Sequence, residues 1–350
     1  MAYSAILKPS TLMNTKLYTG NGGTNAQTGV GFQPDWVWLK QRSGSAASHK
    51  LYDSVRGTTK YIASNNSGAE ATDSNGLTAF GTDGFTVGSS AGTNANGQTY
   101  VGWNWKAGTS VSGNSGGSGT AKSYTGSVST ASGFSIIKYI GNGSSGHTIP
   151  HHLGAIPQWV VIKELPNASD WMGYHQILGN TKTIKLNEPD APVDRTDWWN
   201  DTTPTSSVVT LGDNGEINQN DTNYIMYAWC GKQGYSKFGI FTGNGNADGA
   251  FIYTGFSPAW VVVKRSDDSN GWLMNDNKRS PFNVSSAKLE THLGSAESSF
   301  VALDFLSNGF KIRTNDADMG ASGGTYIYMA FAENPFVTST GNGSIPATAR

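Results

Sequence analysis

Cysteine is almost missing. Cys230 stands alone in 350 residues, so no intrachain disulfide and no Cys-based zinc site can form. Charge is sparse too: 14% of residues are charged and the formal net charge is −1, against roughly 25% charged in an ordinary globular chain. Nucleic-acid binding requires concentrated Lys and Arg to neutralise phosphates, and no such cluster exists. No apolar run approaches the ~20 residues that span a bilayer. The opening "MAYSAILKPSTLMNTK" has too short an apolar patch for a signal-peptide core. The chain therefore reads as made and folded in a reducing cytoplasm, with no nucleic-acid partner and no membrane insertion. Amphipathic helices longer than two turns are absent from the pattern as well.

What is abundant is glycine, 45 residues, and aromatic side chains, 11% of the chain including 11 Trp. That much apolar ring surface excludes disorder, and the length suits two or three cores rather than one. The phrase "GFQPDWVWLK" (Gly31 to Lys40) returns as "LGAIPQWVVIK" (Leu153 to Lys163) and "GFSPAWVVVK" (Gly255 to Lys264). Each is preceded by a Gly-Asn-Gly turn, "YTGNG", "YIGNG" and "FTGNG", whose first Gly lies 16, 18 and 17 residues before the Trp. Agreement at two separated landmarks marks three copies of one unit. The Trp phrase is short, β-branched, without alternation and entered at a Pro, which predicts a strand covered on both faces.

The copies also share endings: "TYVGWNWKAG" (Thr99 to Gly108), "NYIMYAWCG" (Asn223 to Gly231) and "TYIYMAFAE" (Thr325 to Glu333). Ahead of the ending, "LTAFGTDGFTVG" and "VALDFLSNGFKIR" predict hairpins; "SSVVTLGDNGEIN" keeps the turn without the Gly-Phe pair. The expected organisation is an arm 1–16, modules 17–108, 136–238 and 239–337, and a tail 338–350. A Gly/Ser/Thr tract, 109–135, reads as a flexible linker or surface strap. The short second junction ties the last two modules together, with no such tie for the first. The predicted fold class is all-β, three tandem β-sandwiches of the lectin-like jelly-roll kind, with an immunoglobulin-like sandwich as alternative.

These phrases, with "GYSKFGIFTGNGNADGAFIYTGFSPAWVVVKR" and "NGFKIRTNDADMGASGGTYIYMAFAENPF", resemble a repeat-domain family of tailed-phage proteins found in phages of marine bacteria, cyanophages included. The resemblance runs from about Lys8 to Arg350. It implies a virion-associated, fibre-like structural protein, a phage virion location, other virion proteins of tail or capsid as partners, and homo-oligomerisation. It supplies no catalytic residue to carry over.

Candidate sites are therefore weighed on the residues. His147, His151 and His152 in "HTIPHH" are a weak metal candidate, because the other copies lack histidine there. No cofactor is expected. The acidic loops 213–221, 265–271 and 314–320 lack the EF-hand pattern. Asp35, Glu164, Asp304 and Glu333 flank apolar strands without occupying equivalent positions, so paired-carboxylate hydrolysis is a remote alternative and no enzyme is expected. Trp198 and Trp199, in the polar loop "DRTDWWND", are the leading candidates for an interface or for stacking on a host-surface glycan. Trp171, Tyr174 and Trp272 are further candidates, although Trp171 and Trp272 occupy matching places that suit core positions. The expected role is host recognition at a tail fibre, with capsid decoration as the alternative.

Overall fold

The structure, a computed structural model, describes residue 4 and residues 6–336; the expected tail 338–350 lies outside them. It is all-β, with several sheets and four one-turn helical segments among the described residues. One four-strand order recurs in each copy: opening strand, closing strand, Trp strand, return strand. In the first copy these are Met13–Thr19, Thr99–Trp105, Trp36–Gln41 and Lys50–Asp53. In the second they are Phe134–Ile140, Asn223–Trp229, Trp159–Glu164 and Trp171–His175. In the third they are Ser236–Thr242, Thr325–Pro335, Phe256–Arg265 and Trp272–Asp276.

The Trp strands are covered on both faces, and alternation assigns the two faces to different cores. Trp36 and Trp38, Trp159 and Val161, and Trp260 and Val262 all enter one central cluster shared by the three copies. The residues between them, Val37 and Leu39, Val160 and Ile162, and Val261 and Val263, enter three separate outer clusters. The closing strands obey the same rule: Ile327, Met329 and Phe331 face the centre while Tyr326 and Tyr328 face outward. The first copy is therefore tied as firmly as the others. Trp105 packs edge-on to Trp260 at 5.4 Å, Trp36 lies 4.8 Å from Tyr227, and Trp159 meets Trp272 at 5.4 Å. Linker length in the sequence carries no information about this burial, which is why it pointed the other way.

Hydrogen bonds close the three copies into a ring. One ring near the start of each return strand, opposite the Lys of the Trp strand in the second and third copies, donates to a carbonyl of the preceding copy. Trp171 Nε1 reaches Ala63 O at 2.8 Å, Trp272 Nε1 reaches Lys185 O at 2.9 Å, and His49 Nε2 reaches Glu290 O at 3.0 Å. A second cycle runs the same way. Tyr227 donates to Asp53 at 2.7 Å, and Trp103 donates to Asp276 at 3.0 Å. Each Asp also holds the Arg three residues on, Arg56 or Arg279, with both side chains of each pair fully buried. At the third joint the donor position is Met329 and the acceptor position is His175, beside the Tyr328 backbone. A buried carboxylate needs donors, and where the neighbour is a thioether the acid is replaced.

The Gly-Asn-Gly turns repeat for local reasons. A Cβ on Gly20, Gly141 or Gly243 would collide with the carbonyl oxygen of Ala95, Gln219 or Ala321, and Gly22, Gly143 and Gly245 sit at φ 69°, 71° and 70°. Stacked rings lock each turn's flanking strand: Tyr18–Tyr100, Tyr139–Tyr224 and Phe241–Tyr326 lie 5.1, 5.2 and 5.0 Å apart. The buried lysines that end the Trp phrase, Lys40, Lys163 and Lys264, each donate to the carbonyl of the next residue.

The outer layers differ between copies. The tract 109–135 carries the strands Thr109–Asn114 and Ser123–Ser129, which extend the second copy's sheet from its opening strand. The second copy has one strand, Val208–Leu211, where the others have a hairpin; the expected turn after it is a helical segment, Gly215–Asn218. In the third copy eight strands form a nearly closed, barrel-like sheet. Its two end strands, Ser236–Thr242 and Phe251–Tyr253, are bridged by Lys237 Nζ donating to Tyr253 O at 2.7 Å.

Because the central cluster is common property, calorimetry should record a single unfolding transition for the three copies. A separate transition for the first copy would contradict the shared core. Tyr227→Phe should cost roughly 1–3 kcal/mol in urea denaturation by stripping a donor from buried Asp53. Met329→Leu, at the joint without an acid, should cost less than about 1.5 kcal/mol.

Candidate functional site

The aromatic residues singled out by sequence are all interior. Trp198 and Trp199 are 3% and 0% exposed, and they fill the second copy's outer cluster. They sit on the helical turn Thr196–Trp199 rather than on a strand, so adjacent side chains are not sent to opposite faces. Trp199 packs edge-on to Tyr174 at 5.8 Å, and the Arg195 guanidinium lies 5.1 Å from the Trp198 ring. Trp171 and Trp272 belong to the central cluster, and Tyr174 to the outer one. None of the five offers a face to a ligand, which corrects the expectation of surface stacking.

The three histidines do not converge on a metal. His147 is buried between Asn218 Oδ1 at 2.8 Å and Ser115 Oγ at 2.6 Å, so both ring nitrogens are engaged. His151 Nε2 donates to Thr205 O at 3.1 Å while Nδ1 accepts from the Leu153 amide. His152 reaches Tyr124 from a left-handed backbone position. Among the described residues no group of three or more His, Cys, Asp or Glu is placed to hold a metal ion. No helix among them is long and apolar enough to cross a membrane.

The four carboxylates have structural partners or stand apart. Asp35 accepts from Ser54 Oγ at 2.9 Å, Ser127 Oγ at 3.2 Å and the Ala107 amide at 2.8 Å, tying the strap to the first copy. Glu164 holds Asn167, Asp304 faces Arg313 at 3.3 Å, and Glu333 faces Lys278 at 3.7 Å. Asp35 belongs to the first copy and Glu164 to the second, while Asp304 and Glu333 share the third on two strands, Ser298–Leu306 and Thr325–Pro335, that do not pair with each other.

Two surfaces stand out among the described residues. The first is an open groove of about 700 Å³ between the first copy and the strap. Gln33, Ser54, Lys106, Ser110, Ser112 and Thr125 line it, all with hydroxyl, amide or ammonium groups. The second is the outside of the third copy, where Ile240, Phe251, Tyr253 and Phe282 are 45%, 48%, 53% and 80% exposed. Phe251 and Tyr253 share one face of an edge strand whose middle residue, Ile252, is buried. Sequence reasoning missed them, although the period-two run "FIY" in a Gly-bounded segment carried the signal.

Residues 8–335 match a family described as Domain of unknown function (DUF7483). The chain belongs to that family. No curated protein and no solved structure is found to be similar to it. For this DUF7483 chain the geometry of grooves and exposed side chains is therefore the basis for any functional reading.

Buried neutral histidines give the family member a pH signature. Burial lowers His151 to about 4 and His175 to about 3 from the ordinary 6.5. Between those values the unfolded chain binds protons that the folded chain refuses, so stability falls as pH falls below about 6.5. Melting temperature followed from pH 7.5 to 5 should decline, and His175→Gln should flatten part of that slope. An unchanged slope would remove His175 from the account.

Proposed function

We propose that this chain is a non-enzymatic surface component of tailed-phage virions, a tail-fibre or adhesin-type protein that presents the groove between the first copy and the strap to a host-surface glycan. The groove is the observation that carries the reading. A sugar is recognised through hydroxyl and amide hydrogen bonds, and the lining supplies those groups on a rigid framework. In this reading the three copies are lectin-like jelly-roll sandwiches, and the exposed apolar side chains of the third copy face other virion proteins. Capsid decoration is the second reading. It is favoured by the absence of any Trp, Tyr or Phe from the residues that line the groove, because glycan sites commonly stack a sugar face on a ring.

Gold-labelled antibody against the chain, applied to intact virions, separates the two. Label at tail or fibre tips is the expected result; label across the head would make the chain a decoration protein. Particles without label would overturn the virion reading. On a glycan array, Ser112→Trp should abolish binding by filling the groove while leaving the melting temperature unchanged. Binding that survives would take the groove out of recognition.

A further inference from the structure

The three copies share a framework but treat one edge differently. In the second copy the opening strand Phe134–Ile140 is paired from Phe134 to Tyr139 by the strap strand Ser123–Ser129, with Ile136 opposite Ser127, Lys138 opposite Thr125 and Tyr139 opposite Tyr124. The strap does more than pair. Tyr124 and Val128 are buried in the second copy's outer cluster, and Val111 packs against it. The strap's short strand Gly116–Gly117 pairs in turn with His147–Pro150, so the strap spans the gap between the two sheets.

The matching strand of the third copy, Ser236–Thr242, ends its sheet, and among the described residues no strand pairs with its outer edge. Gly243 N donates to Gly324 O and Ala332 N to Tyr235 O. By the alternation of an antiparallel ladder, Phe238, Ile240 and Thr242 then turn their amides and carbonyls away from the closing strand. Gln176 Nε2 takes the Phe238 carbonyl at 3.3 Å. The Lys237 side chain spans the gap to Phe251–Tyr253, its ammonium 5.5 Å from the Tyr253 ring. A charged side chain laid across an edge is a usual guard against random pairing. Here it stands beside two exposed aromatic rings, which a guard alone does not require.

The first copy's opening strand, Met13–Thr19, also ends its sheet. It differs in one respect: no large hydrophobic side chain of the first copy, from 12 to 106, is exposed. An added strand would cover apolar surface only on the third copy.

We propose that the free edge of Ser236–Thr242 is a docking site for an extended strand of a partner protein, one in which small Ser, Thr and Gly residues alternate with Tyr or Val. The partner's chemistry is taken from the strap, which fills the equivalent place in the second copy. Backbone pairing at Ile240 supplies affinity, the alternate apolar residues face the outer cluster as Tyr124 and Val128 do, and the opposite face of the added strand lies beside Phe251 and Tyr253. The inference does not depend on a virion location, and it can fail while the antibody result stands, or the reverse.

The test uses the full chain and a fluorescein-labelled peptide of the strap sequence, "AKSYTGSVST". Saturable anisotropy is expected, with hydrogen-exchange protection appearing at the Phe238 and Ile240 amides and not along Met13–Thr19. Ile240→Pro removes an edge-facing N–H that the closing strand does not use, so it is tolerated at an edge. It should weaken binding by about tenfold or more. Tyr253→Ser, at an exposed position, should weaken it as well and serves if the proline variant fails to fold. The proposal is overturned by absent binding, by equal protection on the first copy, by loss of protection along Phe134–Ile140 (which would mean strap exchange), or by binding that both folded variants leave unchanged.

Discussion

Every strand of the framework depends on the burial of alternate residues of the Trp strands against a centre that no copy could enclose by itself. A strand with only Val37 and Leu39 buried would be half of an ordinary sandwich sheet, with Trp36 and Trp38 left in water. Placing the Trp-bearing faces of three such sheets together removes all of them from solvent at once. The apolar area concerned is large, and hydrophobic burial scales with area at about 25 cal/mol per Å². No single copy gains that stabilisation alone, because a lone four-strand unit would expose one complete face.

Once the rings meet, polar groups carried into the same interior are answered in part. Four ring donors find acceptors on the preceding copy, Asp53 for Tyr227, Asp276 for Trp103, and backbone carbonyls for Trp171 and Trp272, whereas the Nε1 groups of Trp36, Trp105, Trp229 and Trp260 are buried without one. The joint carrying Met329 has no donor, and there the acid and its arginine give way to His175 and Leu178. The three joints thus solve one packing problem with two chemistries. The choice at each follows from whether the neighbouring copy brings a hydrogen.

Much of this was legible in the residues. The three-fold recurrence, the strand character of the Trp phrase, its two covered faces and the split of Ile327, Met329 and Phe331 from Tyr326 and Tyr328 all follow from periodicity. Trp171 and Trp272 matched in position, and matching pointed to core. The ring closure was not legible, because which copy meets which depends on ring orientation rather than on pattern. Trp198 and Trp199 misled for a different reason. A polar composition suggested a surface loop, whereas a single helical turn carries both rings inward and the charged neighbours, Arg195 and Asp197, pair with each other outside. For the Gly/Ser/Thr tract composition left linker and surface strap both open: with little apolar periodicity it pairs as a strap, because backbone hydrogen bonds do not need large side chains.

The ring is closed by a continuous chain, and that has a consequence for symmetry. A homotrimer built on the same contacts would come apart on dilution and would show every surface three times. Here the local concentration of each copy around the others is fixed by covalent connection, so dilution cannot open the ring. Each copy is also free to change its outer layer without changing its two neighbours. The strap belongs to the second copy, the exposed Phe251 and Tyr253 to the third, and a plain edge to the first. The molecule therefore has a three-fold interior and an exterior that does not repeat, with one of each surface and a definite direction.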